Sequence, residues 1–518
     1  MLAGACEQEM TWNLALRMGR MGIAAVAAGI CVNAIADFAR ADDEDDDSAR
    51  VRSRTESLTL VDTIDLDRWR PETLAVSPDG ARMAYARFDR PSIGHIVLDG
   101  KAGPSYAALV GKPVFSLDGK RVAYVAMNTQ NQWFVVVDGE ESRERYPPVQ
   151  GRPGVFPDLR FSLDGRRLAY VAVVDGGGVA KQVVVVDHQA DRKYDEIAGL
   201  ALAPKGESTA YAARTGRQWA VVVDGKEGPR HDWVLATTPV FSPDGRHVAY
   251  GGKEGRRYFV AVDGKRGRDY DDLSGALLFS PDSTKMVYSP SVGRRRAVVI
   301  NEEEIGLYEH VDESSFVFSP KGQHLAFKAG DANSWFVVVD GNKGRGYRGV
   351  GRPVFAPDGR VAHAACDRCG GGVMEEPEMF VVVDGRRVGV AYADIADPIV
   401  FSGDGRAMGF VARRGASQFV VVDETGQRSY ASVVAQSLAF SPSGRDLVYA
   451  ATNAAGRQVV AVSGLEGTAF DAVWLRGLDC PLPLPLRCSV RFDGDRSFSY
   501  LVRLRERVYL VQNSARGP

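Results

Sequence analysis

The chain is poor in the residues and motifs from which function is most often read. Histidine and cysteine are scarce, seven and six in 518 residues, and His95, His188, His231, His247, His310, His324 and His363 are scattered at no ligand spacing. A metal centre or a histidine-based catalytic group therefore has no local footing, and no cofactor is expected. Net charge is nearly absent, with 64 basic against 66 acidic side chains, which removes the global electrostatic footprint of a nucleic-acid binder. The sequence contains no GxSxG elbow, HExxH pair, P-loop or glycine-rich dinucleotide fingerprint. Past the N-terminus, no apolar run is long enough to span a bilayer.

The N-terminus is different. Arg17 and Arg20 precede a small, apolar run from 21 to 36, and Ala39-Arg40-Ala41 offers a small-x-small cleavage pattern. Residues 1–41 read as a signal peptide with Met10, Met18 or Met21 as alternative starts, the other reading being a retained membrane anchor. The acidic run that follows neither folds on itself nor buries anything, so 42–57 is expected to be a disordered linker. Export to the periplasm or medium then frames the cysteines. Cys6 and Cys31 leave with the leader, and Cys366–Cys369 and Cys480–Cys488 form two close pairs expected as local disulfides.

What the chain has in abundance is glycine, 56 residues, and a phrase that recurs. FSPDG or a near variant places its serine, or an equivalent alanine, at 77, 116, 162, 203, 242, 280, 319, 356, 402 and 441, with a degraded copy near Phe492. The spacings run from 37 to 46, close to the roughly forty residues of one four-stranded propeller blade. Within 239–272, PVFS is a short apolar strand and Pro243-Asp244-Gly245 a tight turn. RHVAYGG alternates as a second strand and YFVAVDGK gives a buried third. Asp263-Gly264 is a two-residue hairpin signal into a short, polar fourth. Strands this short need neighbours, so Val, Phe and Tyr of one blade must pack on those of the next. The fold predicted for 58–518 is all-β: about eleven four-stranded blades, as two tandem rings of five plus six divided near 265–280, or alternatively as one large ring. The last unit supplies only three strands, so 58–69 is expected to complete it and close the ring.

VFSPDGRHVAY and LAFSPSGRDLVYA resemble the WD-repeat-like propeller repeats of the TolB type, and the resemblance extends over about 450 residues. Phenylalanine replaces the usual tryptophan before SPDG in most copies, and no separate N-terminal α/β domain of the TolB kind is visible. The resemblance implies a periplasmic or secreted protein, and a binding platform or a non-catalytic partner of a peptidase.

The SPDG and VDGK turns are short and uniform, whereas second-to-third and fourth-to-first connections vary, notably 143–158, 175–181, 366–378 and 476–487. Binding is expected on that variable face. A bulky residue recurs just before the third strand, Trp133, Trp219, Tyr258, Trp335 and Met379, suited to stacking on a sugar or peptide side chain, with blade packing as the other reading. Arg256, Arg257, Arg295 and Arg413, together with Lys253, Arg294, Arg296 and Arg414, offer a positive rim for an anionic ligand, or a merely solvated one. The function expected is an exported, non-catalytic, monomeric scaffold without a membrane span once the leader is cleaved. It would hold a protein or glycan of the cell envelope. The competing reading is a propeller enzyme of the lyase or lactonase kind, with its site at the axial channel.

Overall fold

The computed structural model describes residues 54–90, 93–148, 154–155, 158–273, 275, 277–332, 334–369, 378–474, 491–492 and 497–515. The expected signal peptide, most of the acidic linker, the Cys480–Cys488 pair and the 476–487 loop lie outside these residues.

Apart from two 3-10 turns, Pro71–Thr73 and Ala435–Ser437, the regular elements of the described residues are strands, and they form eleven antiparallel sheets. In chain order the second strands of these blades are Met83–Arg90, Val122–Met127, Leu168–Asp175, Thr209–Thr215, Val248–Glu254, the broken pair Met286–Tyr288 and Pro290–Val292, Leu325–Asp331, Val361–Cys366, Met408–Arg414, Leu447–Thr452 and Ser497–Leu504. Blade 5 shows the pattern. Val240–Phe241 pairs with Val248–Glu254, which pairs with Arg257–Val262, which turns through Asp263-Gly264 into Lys265–Arg266. Both turn residues have positive φ, +52° and +75°, the geometry that makes Asp-Gly the preferred two-residue hairpin.

Because strand side chains alternate, each blade offers one apolar face to each neighbour. Tyr250, Phe259 and Ala261 of blade 5 pack against Ala212 and Val221 of blade 4, while Ala249 and Val260 pack forward on Leu277, Phe279 and Tyr288 of blade 6. A pair of rings recurs at these junctions. The aromatic in the second strand meets the residue ending the fourth strand of the preceding blade: Tyr106 with Tyr124 at 6.1 Å between centroids, Tyr194 with Tyr211 at 6.0 Å, Tyr270 with Tyr288 at 5.9 Å, Tyr392 with Phe410 at 5.7 Å. Edge-on ring pairs of this kind contribute about 0.5–1.5 kcal/mol beyond area burial.

The core clusters link consecutive blades without interruption, and the last link joins blade 11 to blade 1 through Leu501 and Val508 against Met83, Tyr85 and Val97. This corrects the expected division into two rings near 265–280. There, blade 5 packs on blade 6 like any other pair, so the alternative of a single ring of eleven blades is the one found. First strands of several adjacent blades touch, blades 3 with 4, 4 with 5 and 8 with 9 among them, so the first strands line the axis and the fourth strands splay outward.

Ring closure is by the N-terminal strand. Arg54–Thr63 forms the outer strand of blade 11, antiparallel to Arg507–Ala515 from Arg54↔Ala515 to Thr63↔Arg507. The strand starts four residues inside the expected 42–57 linker. It also ends before Trp69, which instead bridges to Arg87 of blade 1.

Candidate functional site

The two ends of the ring use their polar groups differently. On the end carrying the SPDG turns, the phrases that keep both serine and aspartate close upon themselves. The serine hydroxyl donates to the aspartate two residues on, Ser116 to Asp118 at 2.6 Å, Ser162 to Asp164 at 2.5 Å and Ser402 to Asp404 at 2.6 Å. It also accepts the N–H five residues on, Arg121 N and Arg167 N at 3.0 Å. This donation holds the Asp118, Asp164 and Asp404 carboxyls below the usual carboxylate range. The aspartate of the DG turn caps the second strand, Asp138 Oδ1 accepting Val122 N at 2.8 Å. The arginine after the phrase pairs with that aspartate, Arg121 Nε to Asp138 Oδ2 at 3.0 Å, and reaches the next blade's turn carbonyls, Gly165 O at 3.2 Å and Arg166 O at 2.8 Å. The aspartates of this end are thus committed to turns and to latching blades together.

The opposite end carries the second-to-third turns and the fourth-to-first crossings. A recurring aspartate just after the fourth strand spans to the following blade and accepts the N–H of its second-to-third turn: Asp195 from Gly216 at 2.6 Å, Asp232 from Gly255 at 2.7 Å, Asp271 from Gly293 at 2.7 Å. The sequence signal for it is the repeated aromatic-Asp step, Tyr194-Asp195, His231-Asp232 and Tyr270-Asp271, which the repeat phrase overshadows.

The predicted rings lie at this end. Trp133 is buried in the core between blades 2 and 3, where it serves packing. Trp219, Tyr258 and Trp335 are half-buried, each with a cation near its ring: Arg214 at 5.9 Å, Lys253 at 4.7 Å and Lys328 at 4.7 Å. His310 stacks on Trp335 at 6.0 Å. Met379 is half-buried and packs toward blade 9. Arg256 and Arg295 are exposed in blades 5 and 6. Arg257 is ion-paired with Asp271, Arg296 with Glu313, and Arg413, three blades farther on in blade 9, with Asp394 at 3.9 Å. The rings and cations of blades 4 to 7 thus form one arc, and Arg413 is not part of it.

Trp233 was not anticipated from the sequence. It opens the first strand of blade 5 opposite Lys253, half-buried, and meets Tyr258 edge-on at 6.4 Å. Together with Asp232 and Gly255 these residues line an open depression of about 370 Å³. On the axial side, Arg352 donates to Ser314 Oγ at 3.0 Å and to Asp397 Oδ2 through its N–H at 3.3 Å, tying blades 7, 8 and 9. Burial raises the Asp397 carboxyl above its ordinary value. Among the described residues, no three His, Cys, Asp or Glu side chains gather as a metal would require. Cys366 and Cys369 are joined by a disulfide where blade 8's second strand ends.

No family model and no curated protein sequence matches this chain. Similar solved structures include a eukaryotic initiation factor (13% identity, covering 75% of this chain and 96% of the other, TM-score 0.39). They also include a protein described as TolB from Agrobacterium tumefaciens (18%, 40% and 84%, 0.23), and the β-propeller domain of the Trilobed protease from Pyrococcus furiosus (11%, 64% and 98%, 0.26). At these scores the likeness carries no argument about activity or ligand.

Proposed function

We propose that this propeller is an exported, non-catalytic scaffold that holds a protein or glycan of the cell envelope on the end carrying the second-to-third turns. The observation that supports this reading is the contrast between the two ends. At the SPDG end the aspartates serve turns and latches, and the half-buried Phe115, Phe161 and Phe401 lie under arginines that also bind the next blade's turn. The other end offers a sector of larger half-buried rings, Trp219, Tyr258 and Trp335, with Arg214, Lys253 and Lys328 beside them. Flat apolar faces with a polar rim suit mixed ligands and low-entropy anchoring. Export is supported by the N-terminal segment and by the Cys366–Cys369 disulfide, a linkage favoured in oxidising compartments.

The test compares the two ends. Full-length protein with Trp219, Tyr258 and Trp335 changed to Ala and protein with the exposed Lys120, Arg166 and Arg406 of the SPDG end changed to Ala are used to capture partners from envelope extract. Loss of the captured species only with the first set is expected. Equal capture by both would remove this end as the binding surface, and recovery of the protein from the cytoplasm with residues 1–41 intact would remove export.

A further inference from the structure

In blade 5 the cross-strand row at the variable end is built differently from those of blades 4 and 9. In blade 4 the row is Glu196, Arg214, Trp219, and in blade 9 it is Asp394, Arg413, Gln418. In both, the acid opening the first strand neutralises the base beside it, Glu196 with Arg214 at 3.0 Å and Asp394 with Arg413 at 3.9 Å. In blade 5 the row is Trp233, Lys253, Tyr258, with tryptophan in the acid's place. Among the described residues, no carboxylate lies within ion-pair distance of Lys253, whose ammonium rests 4.7 Å from the Tyr258 ring centre. Core packing does not account for Trp233, because it belongs to neither of the clusters that join blade 5 to its neighbours.

We propose that Trp233, Tyr258, Lys253 and Asp232 form a binding site for an acidic sugar of the uronic-acid class, an inference that rests on the variable end being the binding surface and names its ligand there. The two rings meet at 80° and both line the depression, giving it apolar surface for the C–H face of a pyranose. Lys253 supplies the cation for the ring's carboxylate, a charge-assisted contact. Asp232 is exposed, holds the Gly255 N–H with one oxygen at 2.7 Å, and presents an acceptor-only group to sugar hydroxyls. Cation, acceptor and rings within one depression of about 370 Å³ match a ligand with a carboxylate at one edge, hydroxyls at another and an apolar face between. A neutral sugar leaves Lys253 unused, and an aliphatic peptide side chain leaves Asp232 unused.

Calorimetric titration of the full-length protein with α-1,4-linked tetragalacturonate, and with its fully methyl-esterified form, separates charge from shape. The acid is expected to bind about ten-fold more tightly than the ester, the worth of one charge-assisted contact. Lys253→Gln should weaken the acid enough to bring that ratio near one, and Trp233→Ala should weaken both by about ten-fold. Should Trp233→Ala fail to fold in a far-UV melt, Lys253→Gln decides alone. Equal affinity for acid and ester, no binding of the acid, or binding unmoved by Lys253→Gln would overturn the proposal. Loss of uronate binding with envelope capture intact would sink this site and leave the scaffold standing. Uronate binding as expected with capture unaffected by the Trp219, Tyr258 and Trp335 changes would do the reverse.

Discussion

At the residue scale, His363 is the outlier of the ring. It occupies the second-strand position that other blades fill with Tyr124, Tyr211, Tyr250, Phe327 or Phe410, and packs against Tyr347 with ring centres 6.2 Å apart. It is 6% exposed, and neither ring nitrogen has a hydrogen-bond partner among the described residues. Burial pushes its pKa down from 6.5 to about 4. As pH falls below 6.5 the unfolded chain takes up a proton that the folded one refuses until about pH 4. Stability is therefore present above the unfolded value and is lost across that window, by up to about 3 kcal/mol. His363→Phe should leave melting near pH 7 unchanged or raised and should flatten the loss between pH 6.5 and 4. A denaturant series at pH 7, 5.5 and 4.5 reads this, and an unaltered pH slope would show that His363 is not the titrating group.

At the scale of elements, the closing strand carries an unusual share of the architecture. Arg54–Thr63 covers an otherwise bare edge along Arg507–Ala515, and such an edge is a template for pairing with another chain. Deleting residues 54–63 should leave the other ten blades' strands formed but expose blade 11. The expected outcome is a shift toward dimers and larger species on size exclusion, with early proteolysis between 497 and 515. A monomeric, protease-resistant product would show that the ring does not depend on this strand. The repeated latches act in the same way: Arg121 and Arg167 each bind the turn of the blade ahead, so a blade's stability is shared with its neighbour.

At the scale of the whole molecule, a single closed ring means that no half of the chain buries its own ends. Fragments 54–271 and 272–515 should each lack a protease-resistant core, because each leaves two blade faces of Val, Phe and Tyr open to water. Coexpressed, they should reassemble into a species with the melting profile of the intact chain. A separately stable, cooperatively melting fragment would point to two rings after all.

Much of this was legible in the chain. Strand limits, the DG hairpins and the SPDG turns follow from local chemistry, since proline, glycine and a short acceptor side chain fix those turns wherever they stand. Closure by the N-terminal segment followed from counting strands in the last unit. The end carrying the second-to-third turns was identifiable as the one whose connections vary, and three of its four rings, Trp219, Tyr258 and Trp335, are half-buried there. For Trp133 the packing reading holds, because its burial depends on what the next blade brings, here Leu168 and Tyr170, which its own unit does not show. Trp233 was overlooked because its meaning lies in a row of three strands: only the pairing sets it where Glu196 and Asp394 stand in other blades.

The sequence alone determined the repeat, the four-stranded blade and the need to close an edge, because these depend on contacts within about forty residues of chain. How many blades share one axis was decided only by the tertiary structure. That number is set by the small angle between packed sheets, which arises from how Tyr, Phe and Val side chains fill each junction and is accumulated over eleven of them, and no single unit encodes it.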